Sequence, residues 1–437
     1  MSNLSDKSHN DLLARLRAGH SADAIEGAVA DAVGDPTRFE TLPAFRQIKI
    51  AEAAGRAMGI ASPFFRRAER VDGTKALIDG RWVTTFASYD YLSLNRSTPL
   101  AEAVAQAAAL WGGSANGSRM GGGEYVYHQQ LETELAAFLG AESALSFVSG
   151  HATNEAVLRT LTGPGDLILV DELSHNSIYE GARASGAAQI VFAHNDWEKA
   201  DRRLAEVRHR YQRVLIVIEG LYSMDGDSPD LARFVEVKTR HKAWLMVDEA
   251  HSIGVIGQTG RGLCEASGMP RQSVDITMGT LSKALSSCGG FVAGIKPLID
   301  VLRSAAPASV YSVAMAPTVV AAARSALQQM LEQPDRVARL AARGAYFRDK
   351  ARAAGLDCGN SHGYAVAPIL VGDSLRAAWI AAELFKAGYA VTPVLTPAVP
   401  NRGARLRFFL NADHDTETID AVINVTARLL EQSKAIG

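Results

Sequence analysis

The chain has 437 residues, with Lys+Arg 45 against Asp+Glu 47 and a formal net charge of −2, so it carries no general attraction for nucleic acid or an anionic membrane. Hydrophobic residues make up 47% and charged residues 21%, which suits a folded globular protein long enough for two or more domains. Cys264, Cys288 and Cys358 form no CxxC pair, which argues against a disulfide framework or a structural metal.

The N-terminus is polar, with no signal-peptide core, and no apolar run approaches the roughly 20 residues of a membrane span. A cytoplasmic setting without a transmembrane segment is therefore expected. Residues 1–60 are Ala-rich and helical in pattern, broken at Gly34-Asp35-Pro36. They are expected to form a helical extension that packs on the body or a partner; docking a carrier protein is the sharper reading. Residues 61–96 hold a hairpin pattern, ALIDGRWVTTF (Ala76–Phe86), with Asp79-Gly80 at the turn. In 97–334, His128–Gly140 reads as an amphipathic helix closed by a glycine.

Four apolar runs follow, each ending in a polar cluster: Asp166–His175, Arg213–Asp227, Ala243–Ser252 and Val274–Lys283. Continuous Val/Ile/Leu strands alternating with helices predict an α/β fold whose mostly parallel sheet is covered on both faces. Ligands sit at the carboxyl ends of such strands, where every polar cluster falls. Residues 335–437 read as a smaller α+β domain, to which 61–96 adds an N-terminal segment.

Lys283, among Thr280, Ser282 and Ser286, follows the last run. A desolvated lysine can lose its proton and attack an aldehyde, and Asp248 could hold a protonated pyridine nitrogen; pyridoxal phosphate chemistry needs that pair. His251 could donate to the ring's phenolic oxygen, and His175 could stack on a flat ring. The DEAH string also occurs in helicase-type ATPases, but the GxxxxGK[ST] loop they require is absent. Ser149–Asn154 opens a helix whose free N–H groups suit a phosphate, with Thr280 adding a hydroxyl. Ser223 and Asp225 in SMDGD could serve the site or could equally form only a turn. Arg405 and Arg407 alternate along ARLRFFL and are expected on opposite faces of a strand, one binding a carboxylate and the other structural.

These residues, in this order, resemble the α-oxoamine synthase family, from about Ser62 to the C-terminus. The markers are SYDYLSL (Ser88–Leu94), GSANGSR (Gly113–Arg119), HQQLE (His128–Glu132), FVSGHATN (Phe147–Asn154), LSHNS (Leu173–Ser177), EGLYSMDGD (Glu219–Asp227), VDEAH (Val247–His251) and GTLSK (Gly279–Lys283). The resemblance implies a fold type I, aminotransferase-like enzyme whose large domain, 97–334, binds pyridoxal 5'-phosphate. Lys283 is then the Schiff-base lysine and proton carrier. Asp248 is the pyridine-nitrogen partner, His175 the stacking imidazole, and His251 and Ser223 the phenolic-oxygen donors. Gly150, His151 and Thr280 become phosphate ligands. Ser312 matches a residue that reaches the neighbouring subunit's phosphate in a homodimer with shared sites, although Val313 follows it.

Tyr89 replaces the Asn of the family's Asn-Asp-Tyr-Leu-Gly, and Ser282 with Gly289-Gly290 flank Lys283; both features lean to the serine palmitoyltransferase branch and its polyketide-associated relatives. Leu395 occupies a position that some members give to a carboxylate-binding arginine, so the resemblance passes that role to Arg405. The activity implied is a decarboxylating Claisen condensation of an L-amino acid with a long-chain acyl thioester, on coenzyme A or a carrier protein. Serine is the first choice, giving a 3-oxo-amine such as 3-ketosphinganine for sphingolipid or other lipid biosynthesis, with CO2 and free thiol. An aminooxononanoate synthase or another glycine- or alanine-using member is the alternative. A non-catalytic scaffold subunit, or an aminotransferase or lyase on the same scaffold, is the reading from another class.

Overall fold

The computed structural model describes residues 36–57 and 59–435. The expectation for residues 1–35 lies outside that range. Residues 36–57 hold a short turn and helix α1 (Pro43–Ala57), which buries none of its side chains.

The predicted hairpin forms from β2 (Lys75–Ile78) and β3 (Arg81–Thr85), preceded by β1 (Ala68–Asp72). Asp79 (φ 51°) and Gly80 (φ 70°) both adopt the left-handed conformation a two-residue hairpin turn requires. Helices α2 (Thr98–Trp111) and α3 (Val126–Leu139) follow, the second stopped by left-handed Gly140.

The body is a seven-stranded sheet in the order β4-β10-β9-β8-β7-β5-β6. Its strands are β4 (Ser143–Phe147), β5 (Leu167–Asp171), β6 (Ala188–Phe192), β7 (Val214–Glu219), β8 (Trp244–Asp248), β9 (Ile276–Thr280) and β10 (Gly290–Gly294). Only β10 runs antiparallel to its neighbours. Helices α4 (Gly150–Leu161), α5 (Asn176–Ser185), α6 (Trp197–Val207), α7 (Leu231–His241) and α8 (Lys296–Ala305) connect and cover it.

Side-chain alternation feeds two cores. Leu169, Ile216 and Leu245 point into one, while Ile168, Val170, Leu215 and Met246 point into the other with α4, α5 and α8. The run Val214–Ile218 is wholly buried. Its five apolar side chains contribute on the order of 10 kcal/mol, which offsets the cost of ordering a central strand with no solvated face.

Helices α9 (Pro317–Glu332), α10 (Asp335–Ala353), α11 (Ser374–Lys386) and α12 (Thr416–Ser433) frame the second sheet. That sheet is antiparallel, in the order β11-β14-β13, with β11 Val366–Gly372, β13 Thr392–Val394 and β14 Ala404–Phe409. Strand β12 (Tyr389–Ala390) pairs in parallel with β3, tying the N-terminal hairpin to this smaller body.

Glycines let α4 sit flush on the sheet edge. A Cβ on Gly290 would lie 2.7 Å from Gly150 Cα and 2.4 Å from Thr153 Oγ1. Gly290→Ala is expected to destabilise the fold by about 1–3 kcal/mol through overpacking. Denaturant melting checks this; an unchanged midpoint would show that α4 can yield.

Candidate active site

The carboxyl edge of the large sheet collects the predicted residues because β5, β7, β8 and β9 are parallel and end at one level. Lys283 lies three residues beyond β9, in a turn closed by the Ser286 N–H donating to the Lys283 carbonyl at 2.9 Å. Its Nζ sits 5.8 Å from the Tyr89 ring centroid. Burial lowers the ammonium to about 8, only partly opposed by Asp248 and Glu219, and Arg407 pushes the same way as burial. A substantial neutral fraction is therefore present near neutral pH.

Asp248 closes β8 and is buried. Its Oδ2 accepts from Asn154 Nδ2 at 2.7 Å and its Oδ1 from the Ala250 N–H at 2.9 Å. Asn154 reaches it because α4 starts at Gly150 and one helical turn later faces the same edge. Beside Asp248, in register on β7, stands Glu219. Burial, reinforced by Asp248, holds the Glu219 carboxyl well above the ordinary range, and its Oε1 accepts the His175 N–H at 2.5 Å.

His175 caps α5, with Nδ1 2.7 Å from Ser177 Oγ. Burial and the Lys283 charge lower its pKa against the pull of Asp248, so the ring is neutral. The His151 ring stands edge-on to it at 6.3 Å, exposed at the start of α4. His251 is buried, with Nδ1 2.8 Å from Tyr91 Oη; burial, then Lys283 and Arg407, keep it uncharged. Gly150 begins α4, and a Cβ there would meet Thr280 Oγ1 at 3.0 Å. Thr280 Oγ1 donates to the Gly289 carbonyl (3.0 Å) and lies 2.8 Å from Ser282 Oγ. The more exposed hydroxyl of that pair is Ser282, which sequence reasoning used only as a branch marker.

Ser223 is buried in the loop after β7. Ser312 lies in a surface turn between exposed Tyr311 and Val313, and its hydroxyl donates to the Val313 carbonyl at 3.3 Å.

The two arginines correct an expectation. Residues two apart on a strand share a face, so Arg405 and Arg407 both point toward the loop after β7 rather than diverging. Arg405 Nη1 is engaged by Asp225 Oδ1 at 2.7 Å and the Met224 carbonyl at 3.1 Å. With Nε also donating to the Gly403 carbonyl at 3.0 Å, Arg405 is engaged by the protein through two of its nitrogens. Arg407 Nη1 donates to the Ser223 carbonyl at 3.1 Å, and its buried Nε has no partner. Its charge is felt by Lys283, His175 and His251, which places it at the site.

Asn154, Glu219 and Tyr91 were the residues sequence reasoning left without a role, and Arg407 was weighed there but passed over for Arg405. Helical phase from Gly150 identifies Asn154, and the strand period identifies Arg407; Tyr91 and Glu219 carry no such local signal.

The chain's residues 82–425 match the family model for class I and II aminotransferases. An 8-amino-7-oxononanoate synthase of Cellvibrio japonicus (strain Ueda107) is 37% identical over 361 residues, covering 83% of this chain and 90% of the relative. The chain belongs to the α-oxoamine synthases. Its members are pyridoxal-phosphate-dependent acyltransferases that act on amino acids and acyl thioesters, on a fold type I scaffold. A Sphingomonas wittichii serine palmitoyltransferase superposes with TM-score 0.86 at 30% identity, covering 90% of this chain and 99% of that one. A lysine-to-alanine variant of a serine palmitoyltransferase from S. paucimobilis with a bound PLP–myriocin aldimine superposes with TM-score 0.87 at 28% identity, covering 91% of this chain and 100% of that one. Among the described residues of the α-oxoamine synthase chain, no helix is long and apolar enough to cross a membrane.

The site fits pyridoxal phosphate by its donor set: a lysine brought to about 8, a buried carboxylate within the same edge, and a glycine-lined helix start beside two hydroxyls.

Two titrations test the electrostatics. In cofactor-free protein, modification of Lys283 by an amine-directed reagent should rise with a midpoint near pH 8, read by peptide mass; a midpoint near the ordinary 10.5 would contradict the burial argument. His194 has the opposite sign. Burial lowers it, but Asp171 (3.0 Å) and Asp227 (2.9 Å) outweigh that and raise it to about 10. Its contribution to stability is whole below the ordinary 6.5 and is lost as pH climbs through about 10. The stability gap between wild type and His194→Gln, from denaturant melts, should therefore be widest near pH 6 and close towards pH 10.

Proposed function

We propose that Lys283, Asp248, His175 and Arg407 form the working site of an α-oxoamine synthase that joins a small L-amino acid to an acyl thioester with loss of CO2 and free thiol. The observation that carries this is the placement of Lys283 at the same sheet edge as buried Asp248, with the Arg407 guanidinium near enough for its charge to act on Lys283. Pyridoxal phosphate, when bound, supplies an aldehyde for amines and a protonated ring that accepts electron density from the α-carbon.

The protein's own residues do the rest. Asp248 presents the oxygens that would hold a ring N–H, and Asn154 and the Ala250 N–H keep them aimed. His175 offers a neutral imidazole face, and Glu219 fixes its backbone. The 2.8 Å contact between Tyr91 Oη and His251 Nδ1 orients the ring and leaves Nε2 to meet a phenolic oxygen, alongside Ser223. The N–H groups of Gly150 and His151, with the Thr280 and Ser282 hydroxyls, suit the phosphate. Lys283 takes the α-proton as a neutral amine and returns one after CO2 has left. Arg407 binds the amino-acid carboxylate in place of Arg405, the residue expected from sequence.

Alanine replaces serine as the first candidate substrate, following the 37% identical aminooxononanoate synthase. That relative's named product has its amine next to a terminal methyl carbon, as alanine leaves after decarboxylation. Serine is the second reading, favoured by the serine palmitoyltransferase likeness at TM-score 0.86 and by Ser282 and Gly289-Gly290 around Lys283.

A second copy of the chain would dock on the groove of about 750 Å3 among α2, α3 and α9, where Leu110, Trp111, Val126 and Leu331 are exposed. Such a homodimer would give Ser312 a neighbouring phosphate to reach. Residues 61–96 and 335–437 would form the small domain, 97–334 the cofactor domain and 1–60 an extension.

The deciding experiment is a matrix of alanine, serine and glycine against dicarboxylic and fatty acyl thioesters, on coenzyme A and on a carrier protein, read by product mass and CO2 release. One pairing is expected to dominate; no CO2 or free thiol from any pairing would overturn the proposal. Arg407→Met should raise the amino-acid KM about tenfold or more while leaving the thioester KM nearly unchanged.

A further inference from the structure

The loop from Tyr222 to Asp227 joins the two bodies, and its contacts run in both directions. On the large-domain side, Asp227 Oδ2 accepts from His194 Nε2 at 2.9 Å and Asn195 Nδ2 at 3.1 Å. His194 Nδ1 in turn lies 3.0 Å from Asp171 Oδ1, at the end of β5, and its ring stands edge-on to Tyr222 at 4.4 Å. The loop closes on itself through the Tyr222 N–H to the Asp227 carbonyl and the Gly226 N–H to the Tyr222 carbonyl, each 2.9 Å.

On the small-domain side, Asp225 accepts from Arg405 at 2.7 Å, and the Met224 carbonyl takes a second bond from the same Nη1. The His362 N–H donates to the Gly226 carbonyl at 3.0 Å. Gly226 has φ 67°, and a Cβ there would lie 2.2 Å from the Val366 carbonyl on β11. Backbone therefore meets backbone where the bodies join, and glycine alone permits it.

Arg405 is 8% exposed, so its charge is held away from water by one carboxylate. Two residues on, Arg407 hangs from the same strand face and leans on the Ser223 carbonyl of the same loop. Displacing the loop would move Ser223 and the Arg407 guanidinium together.

We propose that Arg405 is a positioning residue: paired with Asp225, it locks β14 to the Tyr222–Asp227 loop and so sets where Arg407 and Ser223 stand in the site. The proposal rests on the assignment of the substrate carboxylate to Arg407, and its test separates the two. With side chains only 10% and 18% exposed, Arg405 and Asp225 would both lose their main charge partner if the pair broke, so either substitution should loosen the loop. His194 supports the fixed half of the latch by restraining Asp227.

The experiment uses the full chain as Arg405→Met, Arg405→Lys, Asp225→Asn and Arg407→Met. Amide hydrogen exchange is measured without cofactor, and the KM of each substrate is measured on the holoenzyme. Arg405→Met and Asp225→Asn should each speed exchange of the 222–227 and 404–409 amides about tenfold while leaving β5 and β8 protected. Both should raise the amino-acid KM about tenfold with the thioester KM within about twofold, and Arg405→Lys should recover part of the loss. Arg407→Met should raise the same KM without loosening the loop.

Wild-type exchange in Arg405→Met, or an equal rise in both KM values, would overturn the latch. A raised amino-acid KM in Arg405→Met with an undisturbed loop would also overturn it, by making Arg405 a direct ligand. An unchanged amino-acid KM in Arg407→Met, with the loop loosened only in the Arg405 and Asp225 variants, would remove the carboxylate assignment and leave the latch standing.

Discussion

The structure depends on keeping a carboxylate buried at the end of a central strand. Asp248 is 4% exposed, and an unpaired charge there would cost several kcal/mol. The fold meets that demand with Asn154 from α4 and the Ala250 N–H, and by holding Lys283 close enough for its ammonium to feel the carboxylate. Those groups follow three different strands, β4, β8 and β9. Parallel strand order is therefore what makes the site, because only parallel strands deliver several carboxyl ends to one edge.

Glu219 sharpens the arrangement. Two carboxylates abreast on β7 and β8 cannot both be charged cheaply, and Glu219 is the one driven towards its neutral form. Asp248 is the carboxyl group of the pair whose field reaches Lys283 most strongly. Glu219 spends its oxygen on the His175 N–H instead, so the same residue that yields the charge also anchors the stacking imidazole. Across the site, Arg407 balances the carboxylates from the smaller body. The chemistry is thus shared between two bodies that meet at the Tyr222–Asp227 loop.

Much of this was legible in the residues. Strands β5, β7, β8 and β9 announce themselves because side chains buried on both faces must be apolar, and the following polar residues mark the ligand edge. The hairpin turn was legible because Asp79-Gly80 meets a conformational demand. Lys283, Asp248 and His175 follow directly from those boundaries. What failed was contact across sequence distance. The Arg405–Asp225 pair spans 180 residues, and no local pattern reports which of two like arginines a distant aspartate has claimed. Counting strand period places both arginines on one face, but only the packed loop separates their tasks. Tyr91 against His251 and Glu219 against His175 are hidden for the same reason. The choice between alanine and serine turns on pocket shape, to which strand and helix periods are blind.

The central claim is that Lys283 is the amine the site presents to an aldehyde. The most direct measurement is to incubate the protein with pyridoxal phosphate, reduce with borohydride, digest and map the phosphopyridoxyl mass. The account predicts that the mass falls on the peptide carrying Lys283 and disappears in Lys283→Ala. Label spread over other lysines, or undiminished in that variant, would contradict it.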